Sequence, residues 1–99
     1  RLCSVHDVAS GTALRVDVDG RRLSVVRIGD AFYVIGDRCS HADFSLSEGE
    51  VDEEQCEIEC PKHGATFSLV TGEPQSLPAT TPVPVYEVRV EGDDVLVEL

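Results

Sequence analysis

Two short stretches each carry one cysteine and one histidine at metal-ligating distance: Cys39-Ser40-His41 and Cys60-Pro61-Lys62-His63. A thiolate is a soft ligand and a neutral imidazole suits zinc or iron, so the four residues together can hold either metal. Two cysteines with two histidines are a common tetrahedral zinc set, but such sites usually pair cysteine with cysteine and histidine with histidine. Mixed pairs, one with a single intervening residue, match that habit poorly. A binuclear iron-sulfur cluster suits them better. Its two irons lie side by side, so two neighbouring loops that each give one Cys and one His can offer both thiolates to one iron and both imidazoles to the other.

The elements that must position these loops read as strands. Short runs rich in Val, Ile, Leu and aromatics recur between turn signals, and no long window carries a helical period. "ALRVDVDG" ends in a turn at Asp19-Gly20, "RLSVVRIGD" at Gly29-Asp30 and "AFYVIGD" at Gly36-Asp37, which predicts a three-stranded meander. At the carboxyl end, "VYEVRVEGDDVLVEL" alternates apolar and charged residues about a Gly-Asp turn, as a hairpin with one buried face does. "SVHDVAS" is the one early helical candidate, a single turn. Residues 37–84 alternate less and are richer in Ser, Gly, Pro, Cys and acid, so they read as a functional subdomain inserted between strand segments. Within it, Val51 and "CEIEC" predict short strands about an acidic tip, and "ATFSLVTGEP" a strand followed by a turn at Thr71-Gly72.

Ninety-nine residues with 41% hydrophobic content allow one modest core, hence a single domain over 1–99. Nineteen acidic against eight basic residues give a formal net charge of -11, which repels phosphate backbones and anionic membranes and argues against nucleic-acid binding. The apolar runs are too short to span a bilayer and the amino terminus lacks a charged-then-apolar signal pattern, so a soluble, cytoplasmic protein is expected. Four cysteines would also allow two disulfides in a secreted chain, but Cys39 and Cys60 each sit beside a histidine, which favours metal in a reducing compartment.

C-x-H followed after a spacer by C-x-x-H-G resembles the binding motif of Rieske-type 2Fe-2S proteins, and the resemblance extends from the meander through "TGEP" and "LPA" to the closing hairpin. It is nearest to the small Rieske-type ferredoxins of bacterial aromatic-ring dioxygenase systems. The resemblance implies an all-β fold, an antiparallel sandwich or barrel with the cluster-binding subdomain inserted. It also implies one 2Fe-2S cluster with Cys39 and Cys60 on the inner iron and His41 and His63 on the outer. Two ferric ions, two sulfides and two thiolates cancel in formal charge, whereas four thiolates would leave the cluster negative, so histidine ligation raises the reduction potential. High-potential Rieske proteins resemble C-x-H-x-x-C and C-x-C-H-G-S-x-Y, with a disulfide between the loops and hydroxyl donors to sulfur. Here Phe44, Lys62, Ala65 and Phe67 hold the four corresponding positions. Without those donors the expected potential is at the low end of the range, roughly -150 to 0 mV. The segment with Leu77, Pro78 and Ala79 resembles a loop that covers the cluster in this family.

The expected function is a monomeric one-electron carrier between a flavin-dependent ferredoxin reductase and a terminal non-haem iron oxygenase, catalysing nothing by itself. Beyond His41 and His63 only His6 remains, too few for the mononuclear iron site of an oxygenase. No G-x-S-x-G nucleophile motif occurs. Another redox role for the same cluster (iron-sulfur assembly, a nitrite-reductase-like complex or redox sensing) and a zinc-binding interaction domain are the alternatives. Cys56, in alternation with Ile58 and Cys60 on one side of a strand, reads as a packed thiol rather than a fifth ligand. Cys3 reads the same way, and His6 as an exposed turn residue. From Ser47 to Glu59 there are seven acids and no base, either a solvated loop or a face that steers a basic partner, with Glu53 and Glu54 at its centre.

Overall fold

The structure, a computed structural model, describes residues 2–38, 45–61, 64–75 and 81–98. Among the described residues nine strands run in chain order: β1 (Cys3–Ser4), β2 (Thr12–Val18), β3 (Arg21–Ile28), β4 (Ala31–Gly36), β5 (Val51–Asp52), β6 (Glu57–Glu59), β7 (Thr66–Ser68), β8 (Val85–Glu91) and β9 (Asp94–Glu98). Among the described residues they form two antiparallel sheets, one ordered β1-β9-β8-β4-β3-β2 and the other β5-β6-β7. The smaller sheet comes entirely from the chain between β4 and β8. Two 3-10 turns complete the elements among the described residues: Val5–Asp7, capped reciprocally by Ser4 and Asp7, and Leu46–Glu48.

The turn chemistry sets the meander. Val18 pairs with Arg21, leaving Asp19 (φ 51°) and Gly20 (φ 77°) both left-handed, as a type I′ hairpin requires. Ile28 pairs with Ala31 around Gly29-Asp30, and Glu91 with Asp94 around Gly92-Asp93. The third expected turn is absent. Gly36 ends β4 with its N–H bonded to the Pro84 carbonyl at 2.9 Å, and Asp37 continues by donating to the Arg22 carbonyl. A Cβ at Gly36 would stand 2.8 Å from Pro84 Cγ, so this glycine admits a packing neighbour instead of reversing the chain.

Strand β3 is buried on both faces because cores lie on either side of it. Leu23 and Val25 join Cys3, Val8, Phe32, Val34 and Val95 in one core. Val26, one residue out of phase, enters the other with Ile35, Leu46, Ile58, Cys60 and Phe67. Alternation along β3 and β4 thus sends every second side chain toward the smaller sheet. The carboxyl-terminal hairpin closes its inner face only in part: Val95 is fully buried, Tyr86, Val88 and Val97 are half-buried, and Val90 is 43% exposed. No helix among the described residues is long and apolar enough to cross a membrane.

Candidate metal centre

Cys60 follows β6 directly and is 1% exposed, packed in the core beneath the smaller sheet. Its backbone closes the turn that follows from both sides. The Cys60 N–H donates to the Ala65 carbonyl at 2.6 Å, and the Gly64 N–H donates to the Cys60 carbonyl at 3.1 Å. Gly64 has φ +74° and lies against Glu59, so the sharp reversal after His63 calls for glycine. Beyond the turn, Ala65 and Phe67 are fully buried, anchoring the loop exit in the same core.

The segment that carries the Cys39-Ser40-His41 motif is bracketed as well. Arg38 and Ser45 pair in an isolated antiparallel bridge, so the chain entering residue 39 and the chain leaving residue 44 lie side by side. Leu46, at the start of the following 3-10 turn, is fully buried in the core that also takes Cys60. Cys39, His41 and His63 themselves lie outside the described residues, as do Phe44, Lys62 and the segment with Leu77, Pro78 and Ala79. Both ends of that last segment are held. Pro74 bridges to Phe67, and the Val83 N–H donates to the Gly72 carbonyl at 2.9 Å.

Cys60 lines a cleft together with Pro61, Gly64, Glu48, Glu50 and Glu59. Glu50 and Glu59 also border an adjoining acidic groove with Asp52, Glu53, Glu54 and Glu57. Two of these acids are structurally engaged. The Asp52 carboxylate accepts from the Glu54 and Gln55 N–H groups, and Glu53 accepts a hydrogen bond from the Ser10 hydroxyl at 3.2 Å.

The other candidate residues fall away from this centre. Cys3 is buried in the opposite core. His6 is exposed in the first 3-10 turn, with Nε2 3.6 Å from Asp93 Oδ1. Cys56 packs against the core near Cys60, but not within the strand: it precedes β6 in a left-handed conformation, φ 56°. Its partner is the Tyr33 hydroxyl, whose hydrogen bond to Cys56, aided by burial, raises the phenol above its ordinary pKa of 10.0. Among the described residues no group of three or more His, Cys, Asp or Glu is placed to hold another metal ion.

A buried cysteine in a closed turn, a second segment with its two ends joined, and one histidine in each segment make a donor set that fits a cluster. The protein is therefore a small all-β protein with two cysteine- and histidine-bearing segments whose described ends meet one shared core. It belongs to the Rieske [2Fe-2S] domain family, whose description matches residues 1–87. The family's cofactor is the 2Fe-2S cluster, which sets aside the zinc alternative. The chain is 45% identical over 97 residues to the 3-phenylpropionate/cinnamic acid dioxygenase ferredoxin subunit of Shigella boydii serotype 4 (strain Sb227), covering 98% of this chain and 90% of that one. The ferredoxin of carbazole 1,9a-dioxygenase from Nocardioides aromaticivorans IC177 superposes with a TM-score of 0.95 at 41% identity, over 98% of this chain and 93% of that one. A chain from a solved complex of reduced oxygenase and oxidized ferredoxin in carbazole 1,9a-dioxygenase matches with a TM-score of 0.90 at 43% identity, over 99% of both.

Proposed function

We propose that this chain is a soluble, cytoplasmic, monomeric one-electron carrier that takes an electron from a flavin-dependent ferredoxin reductase and passes it to a terminal non-haem iron oxygenase. The observation that carries this reading is near end-to-end similarity to ferredoxin components of dioxygenases, in a sequence where only His6 remains beyond His41 and His63, too few for a second iron site. When bound, the cluster supplies one-electron redox chemistry, held by Cys39 and Cys60 as thiolates and by His41 and His63 as neutral imidazoles. Residues 37–84 act as the cluster-binding subdomain. The chain's own work is to hold these ligands with little rearrangement: the Cys60 turn is closed on both sides, and the ends of the first loop are joined.

Buried Ala65 and Phe67 carry no hydroxyl at the positions where high-potential members have donors, which supports a potential in the low part of the range, roughly -150 to 0 mV. The acidic groove beside the Cys60 cleft supports electrostatic docking to basic surfaces on both partners, with weak, salt-sensitive binding that allows rapid release. Because Asp52 and Glu53 are tied into the fold, Glu54 and Glu57 are the better reporters of docking.

The test is reconstitution with iron and sulfide, followed by rapid-mixing transfer from a flavin reductase and to a Rieske oxygenase. Two irons per chain, a Rieske-type electron paramagnetic resonance signal on reduction and transfer in both directions are expected. Charge reversal at Glu54 and Glu57 should slow transfer and flatten its dependence on ionic strength. A cluster that forms but exchanges electrons with neither partner refutes the carrier role, and unchanged salt dependence refutes the docking face.

A further inference from the structure

Asp37 is the only acidic or basic residue among the described ones that is fully buried. A buried carboxylate is costly unless it is paired and hydrogen-bonded, and this one is. Its Oδ1 accepts from the Ser47 N–H at 3.0 Å and its Oδ2 from the Ser45 hydroxyl, which also meets the Ser47 hydroxyl at 2.8 Å. Arg15 Nε, reaching across from β2, stands 3.9 Å from Oδ2. The backbone of Asp37 is equally committed: its N–H donates to the Arg22 carbonyl at 2.9 Å and its carbonyl accepts from the Leu46 N–H at 2.6 Å.

These bonds have one arrangement in common. Asp37 stands two residues before Cys39, and Ser45, Leu46 and Ser47 follow directly after the segment 39–44. We propose that Asp37 is a positioning residue that clamps the base of the first ligand loop, holding the Cys39 and His41 segment in place and setting a fixed negative charge close to the cluster. The proposal rests on Cys39 and His41 being cluster ligands. A carboxylate suits the task because the groups facing it, the Ser45 hydroxyl, the Ser47 N–H and the Arg15 guanidinium, all donate. Asparagine, of the same size, would keep one acceptor and turn an NH2 toward a donor. Arg15 is held firmly in its charged form, first by its hydrogen bond to Asp17 and further by the charges of Asp17, Asp37 and Glu48.

The charges predict opposite shifts. Loss of a negative charge near the cluster makes reduction easier, and loss of the positive charge on Arg15 makes it harder. The experiment compares reconstituted wild type, Asp37→Asn, Arg15→Gln and Ser45→Ala by iron content, midpoint potential and the resonance spectrum of the reduced cluster. Asp37→Asn should raise the midpoint and shift the g values, and Arg15→Gln should lower the midpoint. Ser45→Ala, which removes one donor and leaves the charge, should shift the g values with a smaller change in midpoint. A loss of thermal stability alone would be the mark of a merely structural residue. Wild-type g values and midpoint in cluster-loaded Asp37→Asn overturn the proposal, and if that variant holds no cluster, wild-type g values in Ser45→Ala overturn it. A wild type without a Rieske-type signal would instead overturn the cluster reading itself.

Discussion

Gly49 lies against the Glu59 carbonyl so closely that a methyl group on its α-carbon would overlap that oxygen. Its backbone is ordinary extended chain, φ -86°, so the glycine is required by proximity and not by conformation. The contact brings the chain leaving the 39–44 segment, through the 3-10 turn Leu46–Glu48, against the residue that precedes Cys60. Gly49→Ala should therefore push apart the two segments proposed to hold the cluster. Overpacking of this kind costs about 1–3 kcal/mol, and the variant should melt at lower temperature and bind less than wild-type iron. Full iron content with an unchanged melting curve would show that the approach is not needed.

The bond between Tyr33 and Cys56 makes a prediction in alkali. The neutral phenol is the favoured form, held first by the hydrogen bond to Cys56, then by burial and then by charge on Cys56, and its pKa lies above 10.0. A group whose folded pKa is raised contributes stability that is fully present below its unfolded value, about 10, and lost as pH rises through the folded value. Tyr33→Phe should cost about 0.5–1.5 kcal/mol near neutrality and abolish this component of the alkaline loss. Tyrosinate absorbance separates the groups, since the chain has two tyrosines, Tyr33 and Tyr86, and the variant keeps only Tyr86. If the component lost from the titration in Tyr33→Phe ionises at or below pH 10, the assignment is wrong.

Arg27 ties the amino terminus to the sheet. Nη1 donates to the carbonyls of Val5 and Val8 at 3.0 and 3.1 Å, Nε donates to the Gly29 carbonyl at 2.7 Å, and the guanidinium lies 5.4 Å from the Phe32 ring centre. A planar, forked donor makes these contacts together, and a lysine ammonium cannot. Arg27→Ala should lose about 2–3 kcal/mol, and Arg27→Lys should recover less than half of it. Hydrogen exchange should accelerate first in residues 2–8. Uniform acceleration across the sheet would contradict the local role.

Much of this molecule is legible in the sequence because short-range chemistry decides it. The Asp19-Gly20 and Gly29-Asp30 turns, the hairpin about Gly92-Asp93 and the short strands around the acidic tip all follow from turn residues and alternation. Where distant residues intervene, local pattern misleads. Gly36-Asp37 has the same dipeptide as the Gly29-Asp30 turn, yet Pro84, far along the chain, packs on Gly36, and Ser45 and Ser47 converge on Asp37. An aspartate in a Gly-Asp pair reads as an exposed turn residue, so no sequence signal marks this one as buried. Cys56 departs from its strand for a related reason. Residues 53–56 make the turn between β5 and β6, and Cys56 takes up its left-handed last position. Glu53, in sequence one acid of an acidic run, is held by Ser10, 43 residues earlier in the chain.

The hydrophobic substitutions beside Cys60 lead to the last prediction. Ala65 and Phe67 are both fully buried, one in the residue whose carbonyl accepts from the Cys60 N–H and the other in the strand that pairs with β6. Each occupies a position where higher-potential Rieske proteins resemble one another in carrying a hydroxyl. A donor to sulfur strengthens as the cluster gains negative charge, so it favours the reduced form. If one such bond favours the reduced state by about 1.4 kcal/mol, the midpoint rises by about 59 mV for a one-electron couple. Ala65→Ser and Phe67→Tyr should each raise the midpoint by an amount of that order, with iron content unchanged. The double variant should rise further, by less than the sum if the two hydroxyls share an acceptor. Protein-film voltammetry measures the shift, and a midpoint that stays at the wild-type value in both single variants, with clusters intact, would show that these positions do not set the potential.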